Sequence, residues 1–154
     1  MSHELTVERV FNHPPQDVFD AFTTAEAQRV WYTLGPDGPD GTYVETESDP
    51  RVGGEWNVAW GDSAAPFRER NVFQVVDRPH RLVMTSTGWS PQGDRLDTTI
   101  EVTFEDLDGK TRMTVTQRGF PDAEMCAFFQ QHAWAGAFDR IERYLDLPER
   151  SSVG

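Results

Sequence analysis

The sequence offers few side chains that could hold a metal ion. It contains four histidines and one cysteine, Cys126, so an intramolecular disulfide and a cysteine-based zinc cluster are both excluded. Three histidines lie at or near predicted turns, whereas His132 lies in an aromatic stretch of the last predicted helix. Its neighbours one turn away are Phe128, Phe129 and Gly136, and none of these ligates metals. We predict no metal site and no cofactor, and interpret His132 either as a satisfied core group or as part of a ligand site.

Signals for covalent or acid–base catalysis are equally weak. Residues 88–92 (Gly-Trp-Ser-Pro-Gln) lack the second glycine of a nucleophile elbow. Cys126 has no histidine one turn away and is interpreted as a small buried side chain. Two pairs of carboxylates flank turns or lie on wet strand faces, namely Glu45 with Glu47 and Asp106 with Asp108. No catalytic residue is therefore predicted.

The aromatic residues give the stronger signal. Five tryptophans occur in 154 residues, and four of them fall on elements expected to surround one space. They could simply fill a core, or they could line an apolar pocket with a few polar groups, the usual form of a small-molecule site. The pattern leaves open whether Glu69 or its neighbour Arg70 faces inward. The candidate ligand-binding residues are Trp31, Trp56, Trp60, Glu69, Phe73, Met84, Met113, Phe128, Phe129, His132 and Trp134.

Hydrophobic periodicity predicts the elements that would position these side chains. Residues 4–11 alternate as a strand, and the patterns at 15–23 and 25–32 predict two short helices, with Pro15 in the first turn of one and Thr24 capping the other. Residues 35–41 contain three glycines and two prolines and are predicted as a loop. Period-two alternation then predicts strands at 42–48, 56–60, 67–76, 81–89, 96–104 and 110–118.

A long amphipathic helix is predicted to end the domain, from about Asp122 to Leu145. Trp134, Phe138, Ile141 and Leu145 recur at helical spacing. An antiparallel sheet with one solvent-exposed face must bury its other, apolar face against another element, and this helix is the only long helix that the pattern predicts. We expect its regular C-terminal half to pack closely, and any gap to lie toward its N-terminal half.

The charge and composition of the chain limit the classes of partner that it is expected to bind. The chain carries 14 basic and 26 acidic side chains, for a net charge of −12, which argues against nucleic acid and anionic membranes. No long apolar run or signal peptide is recognised, so a cytoplasmic location is expected. We expect one domain over residues 1–147, a loose tail over 148–154, and either a monomer or a homodimer.

Several segments together resemble a known family. The chain is similar to the START-like helix-grip superfamily (SRPBCC), and most of all to the family named for the activator of the ninety-kilodalton heat-shock chaperone's ATPase. The matching segments are residues 11–22, Trp31, the double-glycine turn at 49–56, the turn at 78–82, Ala133-Trp134 and residues 138–145. Two positions depart from the family pattern: Ala133 replaces a usual glycine, and Val75 lies near a frequent acidic position.

The resemblance implies an α+β helix-grip fold, in which a curved antiparallel sheet wraps around the C-terminal helix. The superfamily includes lipid carriers, cyclases, hormone receptors and co-chaperone domains, so fold does not fix activity. The leading hypothesis is a protein that holds a small apolar or aromatic ligand between sheet and helix. One alternative is a chaperone-interaction module. The other is a cyclase- or dehydratase-like enzyme that uses His132, Glu69 or Tyr32 as acid or base.

Overall fold

The computed structural model describes residues 3–148. The tail predicted at 148–154 lies outside the described residues apart from Pro148. The strands within this described range are β1 (His3–Phe11), β2 (Leu34–Gly35), β3 (Gly38–Pro39), β4 (Tyr43–Ser48), β5 (Glu55–Gly61), β6 (Phe67–Asp77), β7 (Arg81–Trp89), β8 (Arg95–Asp106) and β9 (Thr111–Phe120). The helices are α1 (Pro15–Thr23), α2 (Ala25–Trp31), α3 (Ala123–Phe128), a π-helical segment (Phe129–Ala133) and α4 (Trp134–Leu145).

Seven strands form one antiparallel sheet in the order β1-β9-β8-β7-β6-β5-β4. Strands β4 to β8 each pair with the next strand along the chain, while β1 pairs with β9. The sheet is curved and the C-terminal helix crosses its concave face, which confirms the predicted α+β helix-grip architecture. The prediction of a loop over residues 35–41 is corrected at one point. Leu34–Gly35 and Gly38–Pro39 pair with each other as a very short hairpin.

Alternation along the strands sends one set of side chains to the concave face. Trp56 on β5 lies opposite Asn71 on β6, and Phe73 on β6 lies opposite Met84 on β7. Met84 in turn lies opposite Ile100 on β8. All five side chains are buried, so this face forms the floor on which the helices pack.

The double-glycine turn before β5 has a steric cause. A Cβ atom on Gly54 would lie 2.1 Å from the carbonyl oxygen of Asp49, and Gly53 has a φ of +82°. Only glycine satisfies both conditions without strain. The turn sets the position at which β5, and with it Trp56 and Trp60, enters the sheet.

Helices α1 and α2 are held to the sheet by buried polar side chains. Thr24 caps α2 as predicted, accepting a hydrogen bond from the backbone N–H of Ala27 at 3.4 Å. Gln28, fully buried, donates to the carbonyl oxygen of Phe22 at 2.8 Å and accepts from the Thr46 hydroxyl at 2.8 Å. Buried polar groups are costly unless they are paired, so this network fixes the position of α2 against β4.

The C-terminal helix extends from Ala123 to Leu145 and consists of α3, the π-helical segment and α4, which follow one another without a break. In α4, Phe138, Ile141 and Leu145 are all buried, which confirms the expected close packing of the C-terminal half. The prediction of a regular α-helix throughout is wrong over Phe129–Ala133, where the backbone is π-helical. The π turn contains one additional residue, so it rotates everything before it relative to α4.

Candidate functional site

A cavity of about 320 Å³ lies between the concave face of the sheet and the C-terminal helix. Side chains from α1, α2, five strands of the sheet, the π-helical segment and α4 surround it. Most of its wall is apolar or aromatic. The lining residues are Phe22, Trp31, Tyr32, Thr42, Trp56, Trp60, Glu69, Met84, Ile100, Gln117, Phe129, Ala133, Trp134, Gly136, Ala137 and Arg140.

Small residues on the helix create this space. Ala133, Gly136 and Ala137 lie at spacings of three and four, so they share one side of the helix, and all three line the cavity. A Cβ atom built on Gly136 would have no heavy atom within 4 Å. The helix therefore leaves a gap opposite β5 and β6, where bulky side chains would have filled it.

Aromatic rings form the opposite walls. Trp31 and Tyr32 stack with centroids 4.3 Å apart, and Trp60 lies edge-on to Tyr32 at 5.8 Å. On the other side, Phe22 contacts Trp56 at 5.2 Å and Trp134 at 6.2 Å. Paired rings in these arrangements hold one another in place.

Hydrogen bonds from the indole nitrogens fix three of the tryptophans. Trp31 donates to the carbonyl oxygen of Ala21 at 2.8 Å, Trp56 donates to the Thr46 hydroxyl at 3.2 Å, and Trp134 donates to the Gln117 side chain at 2.8 Å. These bonds anchor the polar edge of each ring and leave the remaining ring surface to the cavity. The cavity is therefore largely preformed, as small-molecule sites usually are.

Glu69 supplies the carboxylate of the site. It lies on the concave side of β6, and the buried Asn71 donates to its Oε1 at 3.1 Å. Burial raises the pKa of Glu69, against the lowering effect of the Asn71 hydrogen bond. Arg70 lies on the opposite face and pairs with Glu55 at 2.7 Å. The question that the sequence left open is thereby answered in favour of Glu69.

Tyr32 is the second titratable group in the cavity. Burial raises its pKa well above the ordinary value for a tyrosine, and the negative charge of Glu69 raises it further. The phenol is therefore a hydrogen-bond donor at neutral pH. A carboxylate and a neutral phenol thus face the same apolar space.

Arg140 closes one side of the cavity. Its guanidinium donates to the carbonyl oxygen of Tyr32 at 2.7 Å and to the carboxylate of Asp40 at 2.9 Å. Hydrogen bonds from Thr42, and then from Arg140, hold the pKa of Asp40 well below its usual range. One turn further along, Arg143 donates to the carbonyl oxygen of Leu34 at 2.9 Å. The two arginines attach the segment 32–40 to α4, at the edge of the cavity.

Seven of the eleven predicted ligand-binding residues line the cavity: Trp31, Trp56, Trp60, Glu69, Met84, Phe129 and Trp134. The other four do not. Phe73 and Met113 are completely buried in the packed core. Phe128 is 57% exposed, and His132 is also exposed.

The π-helical segment explains the outward position of Phe128, whereas His132, six residues before Phe138, lies about 120° away from the buried stripe even in a regular helix. Phe129 lies nine residues before Phe138, so a regular helix at about 100° per residue would place it half a turn away from the buried stripe. Gln131, seven residues before Phe138, would face the sheet instead. The additional residue in the π turn brings Phe129 inward and leaves Gln130 and Gln131 exposed.

Sequence reasoning missed several lining residues, among them Gln117 and Arg140. One signal was available for the gap itself, because three small residues on one helical face opposite large aromatics indicate unfilled space. For Gln117, alternation with Val115 placed the side chain inward, yet nothing in the pattern linked it to Trp134.

Over residues 3–148, no group of three or more histidine, cysteine, aspartate or glutamate side chains is arranged to hold a metal ion. In the same part of the chain, no helix combines the length and the apolar character that a membrane span requires.

What the cavity can do chemically follows from the groups that line it. It can exclude water from a small aromatic molecule and offer that molecule one carboxylate and one phenol.

Comparison with known proteins places this site in context. The family model described as "Activator of Hsp90 ATPase homolog 1-like protein" matches residues 12–146. No curated protein sequence matches the chain.

Solved structures share the fold. A protein from Rhizobium leguminosarum is 21% identical with a TM-score of 0.77, covering 95% of each chain. A protein from Rhizobium loti is 23% identical with a TM-score of 0.74, covering 94% of this chain and 97% of its own. One from Chromobacterium violaceum is 23% identical with a TM-score of 0.71, covering 91% and 95% respectively. At these identities the similarity establishes the fold alone.

Proposed function

The chain belongs to the family of activator of Hsp90 ATPase homolog 1-like proteins, and from its cavity we propose that it binds a small apolar or aromatic molecule between the sheet and the C-terminal helix. The observation that carries the proposal is the unfilled space at Gly136, where a Cβ atom would meet nothing within 4 Å. Interiors normally pack densely, so a gap walled by fixed aromatic rings is a costly feature for a purely structural core.

The size of the cavity limits the ligand. At about 320 Å³ it lies near the lower end of the range for small-molecule pockets, roughly 300–1,000 Å³. A single substituted ring or a compact fused pair fits this volume better than a long lipid or a sterol. The rings of Trp60 and Trp134 offer flat surfaces for such a ligand.

Filling the cavity from the helix tests the proposal. We expect Gly136→Leu to place its side chain in the cavity and to weaken binding of tert-butylbenzene, a neutral aromatic probe, at least about tenfold, because protein and ligand then compete for one space. Gly136→Ala is the matched control. It should retain binding and raise the free energy of unfolding by about 1 kcal/mol, since glycine is unfavourable within a helix.

Isothermal titration calorimetry measures the affinity, and thermal unfolding followed by circular dichroism measures the stability. A folded Gly136→Leu protein that binds the probe as well as wild type does would contradict the proposed site. Wild-type protein that does not bind the probe at all would contradict the proposed function.

An enzyme acting on a hydrophobic substrate is a second candidate. One observation favours it: Glu69 and Tyr32 line the same cavity. Burial raises the pKa of the Glu69 carboxyl, and a carboxyl group in an apolar cavity can act as a general base or acid toward a bound substrate. Turnover of a candidate substrate that is lost in both Glu69→Gln and Tyr32→Phe would support this function over simple binding.

A further inference from the structure

The carboxylate of Glu69 has no cationic partner in the part of the chain that the structure describes. Its hydrogen bond comes from the neutral Asn71 amide, which also donates to the carbonyl oxygen of Trp56 at 3.4 Å. The neighbouring Arg70 lies on the other face of the sheet, where it pairs with Glu55. Glu69 is half-buried, and a negative charge that is partly removed from water without a paired positive charge is costly, so a cationic ligand would compensate it.

The groups that face Glu69 from other elements do not supply that charge. Tyr32, from the end of α2, is a neutral phenol whose pKa burial raises. Arg140, from α4, has its guanidinium bonded to Asp40 and to the carbonyl oxygen of Tyr32, at 2.9 and 2.7 Å. The β5 side chains on this face are apolar or aromatic, and on β7 Gly88 lies directly opposite Glu69.

Aromatic side chains surround the same space. Trp31, Trp56, Trp60, Trp134 and Tyr32 all line the cavity together with Glu69. Aromatic rings attract cations through their quadrupoles, and cages of several rings are the usual means by which proteins recognise methylated and quaternary ammonium groups. The net charge of −12 favours approach of a cation to the molecule as a whole.

We propose that the ligand is an aromatic molecule carrying an alkylated or quaternary amine, whose cationic group lies against Glu69 within the ring of tryptophans. This inference rests on the proposed function, because it requires the cavity to be the binding site. It adds the chemical class of the ligand, an organic cation, and makes Glu69 the residue that determines specificity.

A matched pair of probes tests this inference. Phenyltrimethylammonium and tert-butylbenzene have nearly the same shape, and they differ in carrying nitrogen with a positive charge or neutral carbon. We expect wild-type protein to bind the cation at least about tenfold more tightly. Glu69→Gln should remove most of that preference and leave the affinity for tert-butylbenzene unchanged, because glutamine keeps the shape and the acceptor for Asn71.

Glu47→Gln is the matched control. Glu47 is exposed on β4, on the side of the sheet away from the cavity, and its substitution removes the same charge from the molecule as a whole. It should leave both affinities unchanged, which separates a local effect of Glu69 from general electrostatic attraction. Near-UV circular dichroism checks that each variant retains its native packing.

The outcomes separate the two proposals. If wild-type protein binds tert-butylbenzene as tightly as the cation or more tightly, or if Glu69→Gln weakens both to the same extent, the cation inference is overturned and the apolar binding site stands. The inference is also overturned if Glu47→Gln lowers the affinity for the cation as much as Glu69→Gln does. If neither probe binds wild-type protein, the proposed function fails together with the inference.

Discussion

Glu69 is the residue at which the stability of the fold and the proposed binding of a cation have opposite requirements. Its carboxylate lies among aromatic side chains, and burial raises its pKa above the value that it has in the unfolded chain. The folded state therefore favours the protonated acid. Ionised Glu69 destabilises the fold, and the penalty is absent below the unfolded pKa and grows as the pH rises through the folded pKa.

Substitution of Glu69 by glutamine should consequently stabilise the protein at high pH. We expect Glu69→Gln to raise the free energy of unfolding by about 1 kcal/mol at pH 8, the usual size of a penalty for an imperfectly compensated buried polar group. Near pH 4 the two proteins should be equally stable. Urea unfolding at a series of pH values measures the difference, and a variant that is less stable than wild type at pH 8 would show that the carboxylate is compensated within the chain.

Residue-level prediction from the sequence succeeded where alternation determines direction. Trp56, Trp60 and Met84 lie on strands, so their parity places them on the concave face with little ambiguity. The same parity made Phe73 a candidate, but it lies farther along β6, where the core is filled. Alternation fixes the face of a sheet, and packing decides which part of that face remains open.

The π-helical segment is the element that most affects the site. It lies directly before α4 and brings Phe129 and Ala133 to the cavity. A regular helix of 3.6 residues per turn would turn Phe129 away from the buried stripe and leave Phe128 nearer to it, so the regular helix predicted from the sequence misplaced Phe128. Nothing in residues 129–133 identifies a π turn locally, because its cause is the tertiary requirement that Phe129 and Trp134 both face inward.

Deletion of one residue should convert this segment to regular α-helix. We expect removal of Gln131, which is exposed, to leave the fold intact, because Phe129 and Trp134 then lie four residues apart on the same face. Removal of Ala135 from α4 is the control. It should rotate Trp134 away from Gln117 and destabilise the protein by about 3 kcal/mol, the order of cost for losing a large core side chain.

Thermal unfolding of the two deletion proteins makes the comparison. If loss of Gln131 destabilises the chain as much as loss of Ala135, the π turn is not a single-residue insertion in an otherwise regular helix. Equal helical content in far-UV circular dichroism would show that both variants keep the C-terminal helix.

At the scale of the whole molecule, the fold was predictable because most of its strands pair with strands that are adjacent in the sequence. Strands β4 to β8 each pair with the next strand, and among the elements within residues 3–148 only the C-terminal helix is long enough to cover their concave face. The site depends on longer-range relations. Arg140 contacts Asp40, one hundred residues away along the chain, and no periodic pattern encodes such a pairing.

The five tryptophans make the central claim directly measurable. Four of them line the cavity, whereas Trp89 does not, so the protein contains its own internal control. We expect titration with tert-butylbenzene, followed by the indole N–H signals in two-dimensional NMR, to shift the resonances of Trp31, Trp56, Trp60 and Trp134 saturably. The Trp89 signal should remain in place. Signals that do not move, or a shift largest at Trp89, would contradict a ligand site between the sheet and the C-terminal helix.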